Sequence, residues 1–384
     1  MRRPRRGTET STKRPQRVAR LGAQRRVLHI LGDGSLAGLP RHVIDLALGT
    51  QNSPFPPTVI APSGPIMEVL EEEKVSRIPA PMHLGTIQTV RALKALFRRE
   101  ARENGPFILH VHGGRAGWFA RLAAFGLNLK LVYTEYQWTH DTRPASSIRG
   151  VLDLMAMNML DSVTTKTIAT SQAAAHFLLD RGITRSEKLA VIYNGAYLHR
   201  HPKQHKDTTV KIGTVGTLKD GRGYEDLIEA MALLVQHHPK IHLDIVGRGS
   251  DIRDLQQLVE RRTLTAHIDF SDFILDLSPV LGHWDIYVHP HRHDSFGQAL
   301  LDAMGAGLPV VATHVGATSE VVGDRVTGTL VEPRNPRMLF DALDHLAADA
   351  ALRNQYGAAG YDRVKAMFTV EHMVSQTLEL YASL

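Results

Sequence analysis

Short apolar runs alternate with longer amphipathic stretches along the chain, and the alternation happens twice. In the first half the runs RVLHIL (26–31), PTVIA (57–61), FILHVH (107–112) and KLVYT (130–134) are continuous and rich in β-branched residues. A strand buried on both faces of a parallel sheet has this pattern, because neither face needs polar side chains. Helix-length segments at 39–49, 87–103 and 115–126 lie between them, and KLAVIYNG (188–195) closes the half. After a polar stretch, AYLHRHPKQHKDTT (196–209), the alternation restarts. VKIGTVG (210–216), IHLDIVG (241–247), DIYVHP (285–290) and PVVAT (309–313) predict strands; segments near 223–236, 250–262 and 297–305 predict helices.

Repeated βα units predict an α/β fold of two doubly wound, Rossmann-like domains facing across a cleft, with ligands at the carboxyl ends of the strands. The expected divisions are a tail over 1–25, a first domain over 26–195, a linker over 196–209 and a second domain over 210–367. The final segment, 368–384, sets Met373, Val374, Leu378 and Leu380 near helical spacing, a stripe able to return to the first domain.

Composition changes this picture in three places. A length of 384 residues exceeds what one core usually serves, which agrees with two domains. Cysteine is absent, which excludes disulfides and thiolate chemistry and fits a reducing compartment. No apolar run is long enough to span a bilayer, so the expected location is cytoplasmic, peripheral at the inner face of a membrane. The net charge of +6 belongs to the tail: ten Arg and Lys against Glu9 alone give residues 1–26 a charge of +9, leaving −3 for the rest. Such a tail reads as a solvated arm or as a contact for an anionic surface. The acidic remainder, with 6 % aromatic residues, argues against specific nucleic-acid binding.

Three loops that follow predicted strands are candidates for chemistry. GDGSLAGLPRH (32–42) carries Gly32, Gly34 and Gly38 ahead of a helix whose N–H groups can face an anion. GTLKDGRGYEDL (216–227) carries Lys219 and Arg222 on a second such turn. HDSFGQALLDAMGAG (293–307) places Asp294 before a helix and Asp302 eight residues later. Eight helical steps leave the two carboxylates about 80° apart and two turns along, which suits separate contacts on one extended ligand rather than a shared proton. A helix cap at Asp294 and a solvated Asp302 are the plain alternative. His289, His291 and His293 alternate and would share a face on one strand, but no carboxylate or cysteine completes a ligand set there. The chain also has no Asp-x-Asp, which counts against a carboxylate-held Mg²⁺ or Mn²⁺. GRGSDI (247–252) lacks the full dinucleotide fingerprint.

Taken together, these motifs resemble the retaining glycosyltransferases of family 4, which have the GT-B fold. Asp294-Ser295-Phe296-Gly297, Asp302 and Pro309-Val310-Val311-Ala312 follow the order of the family's Glu-x-Phe-Gly, second Glu and Pro-Val-Val-Ala. SLAGLPRHVIDLA (35–47), ILHVHGGRAG (108–117), VIYNGAY (191–197), VGATSEVV (315–322) and VTGTLVEP (326–333) continue the likeness over about residues 26 to 384. The resemblance implies a hexosyltransferase-type enzyme, retaining and metal-independent, with no cofactor. It would move a sugar from a nucleotide-sugar donor to a lipid- or glycan-linked acceptor in cell-envelope polysaccharide or glycolipid synthesis.

By position, Asp302 would hold ribose hydroxyls, while Asp294 and the amides of Phe296 and Gly297 would meet the sugar. Gly38 and Arg222 would face the diphosphate, with Thr217 where the family usually has Arg. His112 ends the His-x-His strand, and Tyr136 stands where the family has His in Thr-x-His; with Asp294 they are the implied catalytic set. The departures at Asp294, Thr217 and Tyr136 support the alternative of a weakened, nucleotide-sugar-binding or regulatory protein. In VRALKALFRREAR (90–102), Val90, Leu93 and Phe97 oppose Arg91, Lys94, Arg98 and Arg102, the pattern of either a packed helix or one lying on an anionic membrane surface.

Overall fold

A computed structural model of the chain describes residues 25–36, 38–80, 86–136, 148–199, 209–274, 276–293 and 296–384. The predicted tail, most of the predicted linker, and Asp294 lie outside these described residues.

The first sheet contains β1 (Arg26–Leu31), β2 (Pro57–Ala61), β3 (Ser76–Pro79), β4 (Phe107–His112), β5 (Lys130–Glu135), β6 (Lys166–Ala169) and β7 (Leu189–Val191). Its strands run parallel in the order β3-β2-β1-β4-β5-β6-β7. Connecting it are α1 (Leu39–Thr50), α2 (Pro65–Glu72), α3 (Thr86–Asn104), α4 (Gly114–Ala124), α5 (Ile148–Asp161) and α6 (Gln172–Asp180). The second sheet contains β8 (Lys211–Val215), β9 (His242–Val246), β10 (Ile268–Ser271), β11 (Ile286–His289), β12 (Val310–Thr313) and β13 (Gly328–Val331). It is also parallel, in the order β10-β9-β8-β11-β12-β13. Its helices are α7 (Tyr224–His237), α8 (Ile252–Arg261), α9 (Ser278–Leu281), α10 (Gln298–Gly305), α11 (Thr318–Val321), α12 (Pro336–Ala348) and α13 (Ala350–Met367). A last helix, α14 (Val370–Ala382), follows.

In each sheet the order reverses beside the first strand, so β1/β4 and β8/β11 are the switch points where a crevice opens at the strand ends. The strands predicted from continuous apolar runs are buried throughout β2 and β4 and nearly so in β1. Of KLAVIYNG only Leu189–Val191 pairs, half-buried at the sheet edge. The four-residue strands β3, β6, β10 and β13 were not predicted, because SRIP, KTIA, IDFS and GTLV offer too little apolar sequence to stand out.

The stripe predicted at the carboxyl end does return to the first domain. Met373, Val374, Leu380 and Tyr381 of α14 pack with Val27, Leu46, Phe55 and Ile108. Gly49 of α1 makes this approach possible, since a Cβ there would stand 2.4 Å from Val374 Cγ2. The Thr369 hydroxyl caps α14 by accepting from the His372 amide, and the amide of Ala196 donates to the Phe368 carbonyl. The chain thus crosses between the domains twice.

Candidate active site in the cleft

The first wall of the cleft is the turn from β1 into α1. Asp33 accepts from the amide and hydroxyl of Ser35, and Gly38, at φ 57°, precedes the helix whose second residue is Pro40. Space around Gly38 is open, with nothing within 4 Å of where a Cβ would stand.

Behind this turn lies a buried group of imidazoles. The register of the sheet sets His29 on β1 beside His110 on β4, and His112 beside Thr134 on β5. His29 Nδ1 and His112 Nε2 are 3.0 Å apart, and His112 Nδ1 is 3.2 Å from the Tyr136 hydroxyl. His110 hydrogen-bonds the Tyr381 hydroxyl at 2.5 Å and Thr134 Oγ1 at 2.6 Å. His42 of α1 stacks edge-on against Tyr136, with ring centroids 4.9 Å apart. Burial pushes the His29 pKa down to about 3, helped by the neighbouring charge of His42. It brings His42 down to about 4 and holds His110 and His112 well below the usual imidazole range. All four are therefore neutral at pH 7. Burial likewise raises the Tyr136 phenol well above its ordinary value, so it donates or accepts a hydrogen bond and does not act as a base.

His29, His110 and His112 bring one nitrogen each within 4.8 Å, a spacing a metal could use. His29 and His112 hydrogen-bond each other, and Tyr136, Tyr381 and Thr134 take the other nitrogens of His112 and His110, while the buried His29 Nε2 has no partner among the described residues. Sequence reasoning weighed a different trio. His289 and His291 do come together, with ring centroids 3.9 Å apart, but β11 ends at His289 and His293 is exposed on the loop beyond.

The second wall is made by the turns after β8 and β11. Thr217 is exposed, whereas the next residue, Leu218, is buried. Gly223 opens α7 at φ 67°, where an added Cβ would stand 1.9 Å from the Pro290 carbonyl oxygen. That contact locks the two turns together, and Arg222 Nη1 lies 3.1 Å from His291 Nδ1 across them. The neighbouring Arg292 makes a paired hydrogen bond to Asp226 at 2.8 and 2.9 Å. The cap of α10 is Gly297, left-handed at φ 79°, with no side-chain cap bond. Phe296 is buried, its ring 5.9 Å from Tyr193 and 6.4 Å from Phe368. Its side chain is therefore a packing anchor at the start of α10.

Asp302 departs most from the solvated alternative. It is 6 % exposed and takes a paired hydrogen bond from Arg41 of the opposite wall, at 2.7 and 3.2 Å. Arg41 also lies 3.9 Å from Asp45, which accepts from the Tyr197 hydroxyl at 3.1 Å. Burial raises the Asp302 pKa, with Arg41 opposing the rise. Burial also brings Asp45 up to about 6 against the same guanidinium. A second crossing is made by Glu320 of α11, whose carboxylate accepts from the Gln172 and Ala173 amides at 2.7 and 2.8 Å. It also accepts from the Tyr193 hydroxyl at 3.0 Å. Sequence reasoning missed Arg41, Asp45 and Glu320. Each looks like an ordinary surface residue of a helix until the partner chain segment is brought against it.

Two parallel sheets facing across a cleft, each with a glycine-bearing strand-to-helix turn at the switch point, define the GT-B class of fold. Comparison with known proteins agrees. The family model described as Glycosyltransferase Family 4 matches residues 36–200, and that described as Glycosyl transferases group 1 matches residues 198–363. The chain belongs to this glycosyltransferase family. It is 24 % identical to the D-inositol 3-phosphate glycosyltransferase of Jonesia denitrificans over 95 % of each chain. It is 26 % identical to the phosphatidyl-myo-inositol mannosyltransferase of Mycolicibacterium smegmatis over 85 % of each. Among solved structures, Anabaena HepE in complex with UDP-glucose superposes with a TM-score of 0.82 at 21 % identity, covering 94 % of this chain and all of that one.

Proposed function

We propose that the protein transfers a sugar, with retention and without a metal, from a nucleotide-sugar donor to a lipid- or glycan-linked acceptor of the cell envelope. The observation that carries this reading is Asp302, a buried carboxylate of the second wall held by Arg41 of the first. In this reading Asp302 holds a vicinal hydroxyl of the donor ribose. The amides opening α10 at Phe296 and Gly297, with Asp294, meet the sugar, and Gly38, Thr217 and Arg222 surround the diphosphate. Tyr136 and His112 line the acceptor side. Their mutual hydrogen bond gives them an orienting role, since neither can take a proton at neutral pH.

Family membership, the UDP-glucose bound to HepE and the lipid-inositol acceptor in the mannosyltransferase's name support this choice. The test is a panel of UDP-, GDP- and ADP-sugars with glycolipid acceptors. Transfer or donor hydrolysis is expected for at least one donor, with donor binding weakened about 10- to 100-fold in Asp302→Asn. Absence of both turnover and nucleotide binding across the panel would refute the reading.

The second reading, a nucleotide-sugar-binding protein with weak turnover, is favoured by Thr217, which offers the diphosphate no cation. Its signature is nucleotide binding without transfer, with turnover rising in Thr217→Arg. We also propose contact with an anionic membrane through α3. Leu93 and Phe97 are buried against the sheet, while Arg91, Arg98 and Arg102 face solvent and Ile87 is 68 % exposed. No described helix is long and apolar enough to cross a membrane. In a chain lacking residues 1–25, reversing the three arginines to glutamate should abolish flotation with anionic liposomes while leaving the melting temperature within a few degrees. Unchanged flotation would remove α3 from the surface.

A further inference from the structure

Arg41 serves two carboxylates from opposite sides of the cleft. It stands in the first turn of α1, immediately after the open glycine turn, and spans 261 positions of sequence to reach Asp302 of α10. Both nitrogens of its planar fork are used, at 2.7 and 3.2 Å, so the carboxylate is fixed in plane and not merely neutralised. The side chain is aligned from behind by Asp45, one helical turn along at 3.9 Å. Asp45 is in turn held by the Tyr197 hydroxyl. Tyr197 belongs to the segment joining the sheets, and two residues on, the His199 amide donates to Gly305 at the end of α10. Helix α1, helix α10 and the connecting segment therefore converge on one guanidinium.

An ionised carboxylate offers about four lone-pair sites, two on each oxygen. The paired contact from Arg41 occupies one site per oxygen, and the Gln298 side chain also hydrogen-bonds the carboxylate. One acceptor site is left for a hydroxyl of the vicinal pair. A buried carboxylate with no cation beside it would favour the protonated form, which lacks one of those acceptor sites.

We propose that Arg41 is a positioning residue for the donor: by gripping Asp302 across the cleft it keeps that carboxylate ionised, in plane and open to a hydroxyl of the vicinal diol of the nucleotide's ribose. This rests on the reading of Asp302 as the ribose-holding group. Recognition of ribose is then a joint property of both domains, because the second domain's carboxylate is aimed by the first domain's helix.

The experiment is calorimetric titration of the full chain with UDP, GDP and ADP, each against its 2′-deoxy and 3′-deoxy counterpart, from pH 5.5 to 8. The parent protein, Arg41→Gln, Arg41→Lys and Asp302→Asn are compared, with melting curves to confirm folding. The charged groups facing the pair are Asp45, Tyr197, His199 and Asp276, so Asp45→Asn is run as well to separate its titration from that of Asp302. The parent should prefer the ribonucleotide at every pH. Arg41→Gln should bind it about 10- to 100-fold more weakly near neutrality and lose the preference over the deoxy forms. The preference should return as pH rises and Asp302 ionises unaided. Arg41→Lys should keep a flat pH profile while losing part of the preference. If Arg41→Gln and Arg41→Lys retain the parental preference at every pH, Arg41 does not position Asp302 and the proposal fails. If the parent itself fails to discriminate, or Asp302→Asn discriminates as the parent does, the ribose-holding role of Asp302 fails and the proposal falls with it.

Discussion

Four imidazoles packed behind the glycine turn make the protein acid-sensitive in a calculable direction. His29 and His42 have folded pKa values of about 3 and 4, and His110 and His112 lie well below the usual value. An exposed imidazole in the unfolded chain titrates near 6.5. Below that pH the unfolded state binds more protons than the folded one, so stability falls as pH drops from 6.5 toward 4. Asp45 and Asp302, with raised pKa values, pull the other way over their own range, but they are two groups against four. Each imidazole contributes at most about 1.4 kcal/mol per pH unit within its window. The melting temperature should therefore drop between pH 6.5 and 5, and His29→Asn, which keeps an N–H near the Nδ1 position, should flatten that drop. An unchanged slope would show that His29 is charged in the folded state. None of this was visible in sequence: His110 and His112 stand out as a pair, but only the strand register adds His29, and only the packing of α1 adds His42.

At the scale of elements, the turn after β8 is shaped by what it must touch. Gly223 combines a left-handed backbone with a carbonyl where its side chain would be, so Gly223→Ala carries both costs. The left-handed conformation alone costs about 1–2 kcal/mol. A loss of about 2 kcal/mol or more is expected, read as a lower urea midpoint with displaced α7 and weaker nucleotide binding. The elements themselves were largely legible. Buried parallel strands advertise themselves as apolar runs, which is why β1, β2 and β4 match their predicted bounds to the residue. The short strands β3 and β10, half-exposed at sheet edges, carry no such signature. At α10 the helix was legible but its cap was not. The left-handed Gly297 sets its boundary through the backbone, without a side-chain cap bond that a residue type could announce.

In the whole molecule, apolar packing of α14 on the first domain and of Phe296 and Phe368 on Tyr193 joins the two domains, and a few polar contacts link them as well. Besides Arg41 and Asp302, Glu320 lays its carboxylate on the first amides of α6 and on Tyr193, which burial and this carboxylate push up to about 12. A carboxylate at a helix N-terminus contributes about 0.3–1 kcal/mol, too little to decide folding but enough to bias an angle between domains. Glu320→Ala should leave each domain intact and broaden the distribution of interdomain distances seen by paired spin labels. A distribution as narrow as the parent's would assign the angle to other contacts. Such contacts lie beyond sequence reading, because Glu320 and Gln172 are 148 positions apart and nothing local connects them.

The return of α14 to the first domain also has a consequence for synthesis. Val27, Ile108 and Leu46 belong to early elements, yet the residues that cover them, Met373 through Tyr381, emerge from the ribosome only after the entire second domain. At translation speeds of about 5–20 residues per second, that face stays uncovered for on the order of ten seconds or more. The first domain therefore reaches its finished core last, although it is made first. A nascent chain arrested before residue 368 should present this apolar face to chaperones, and release of α14 should withdraw it.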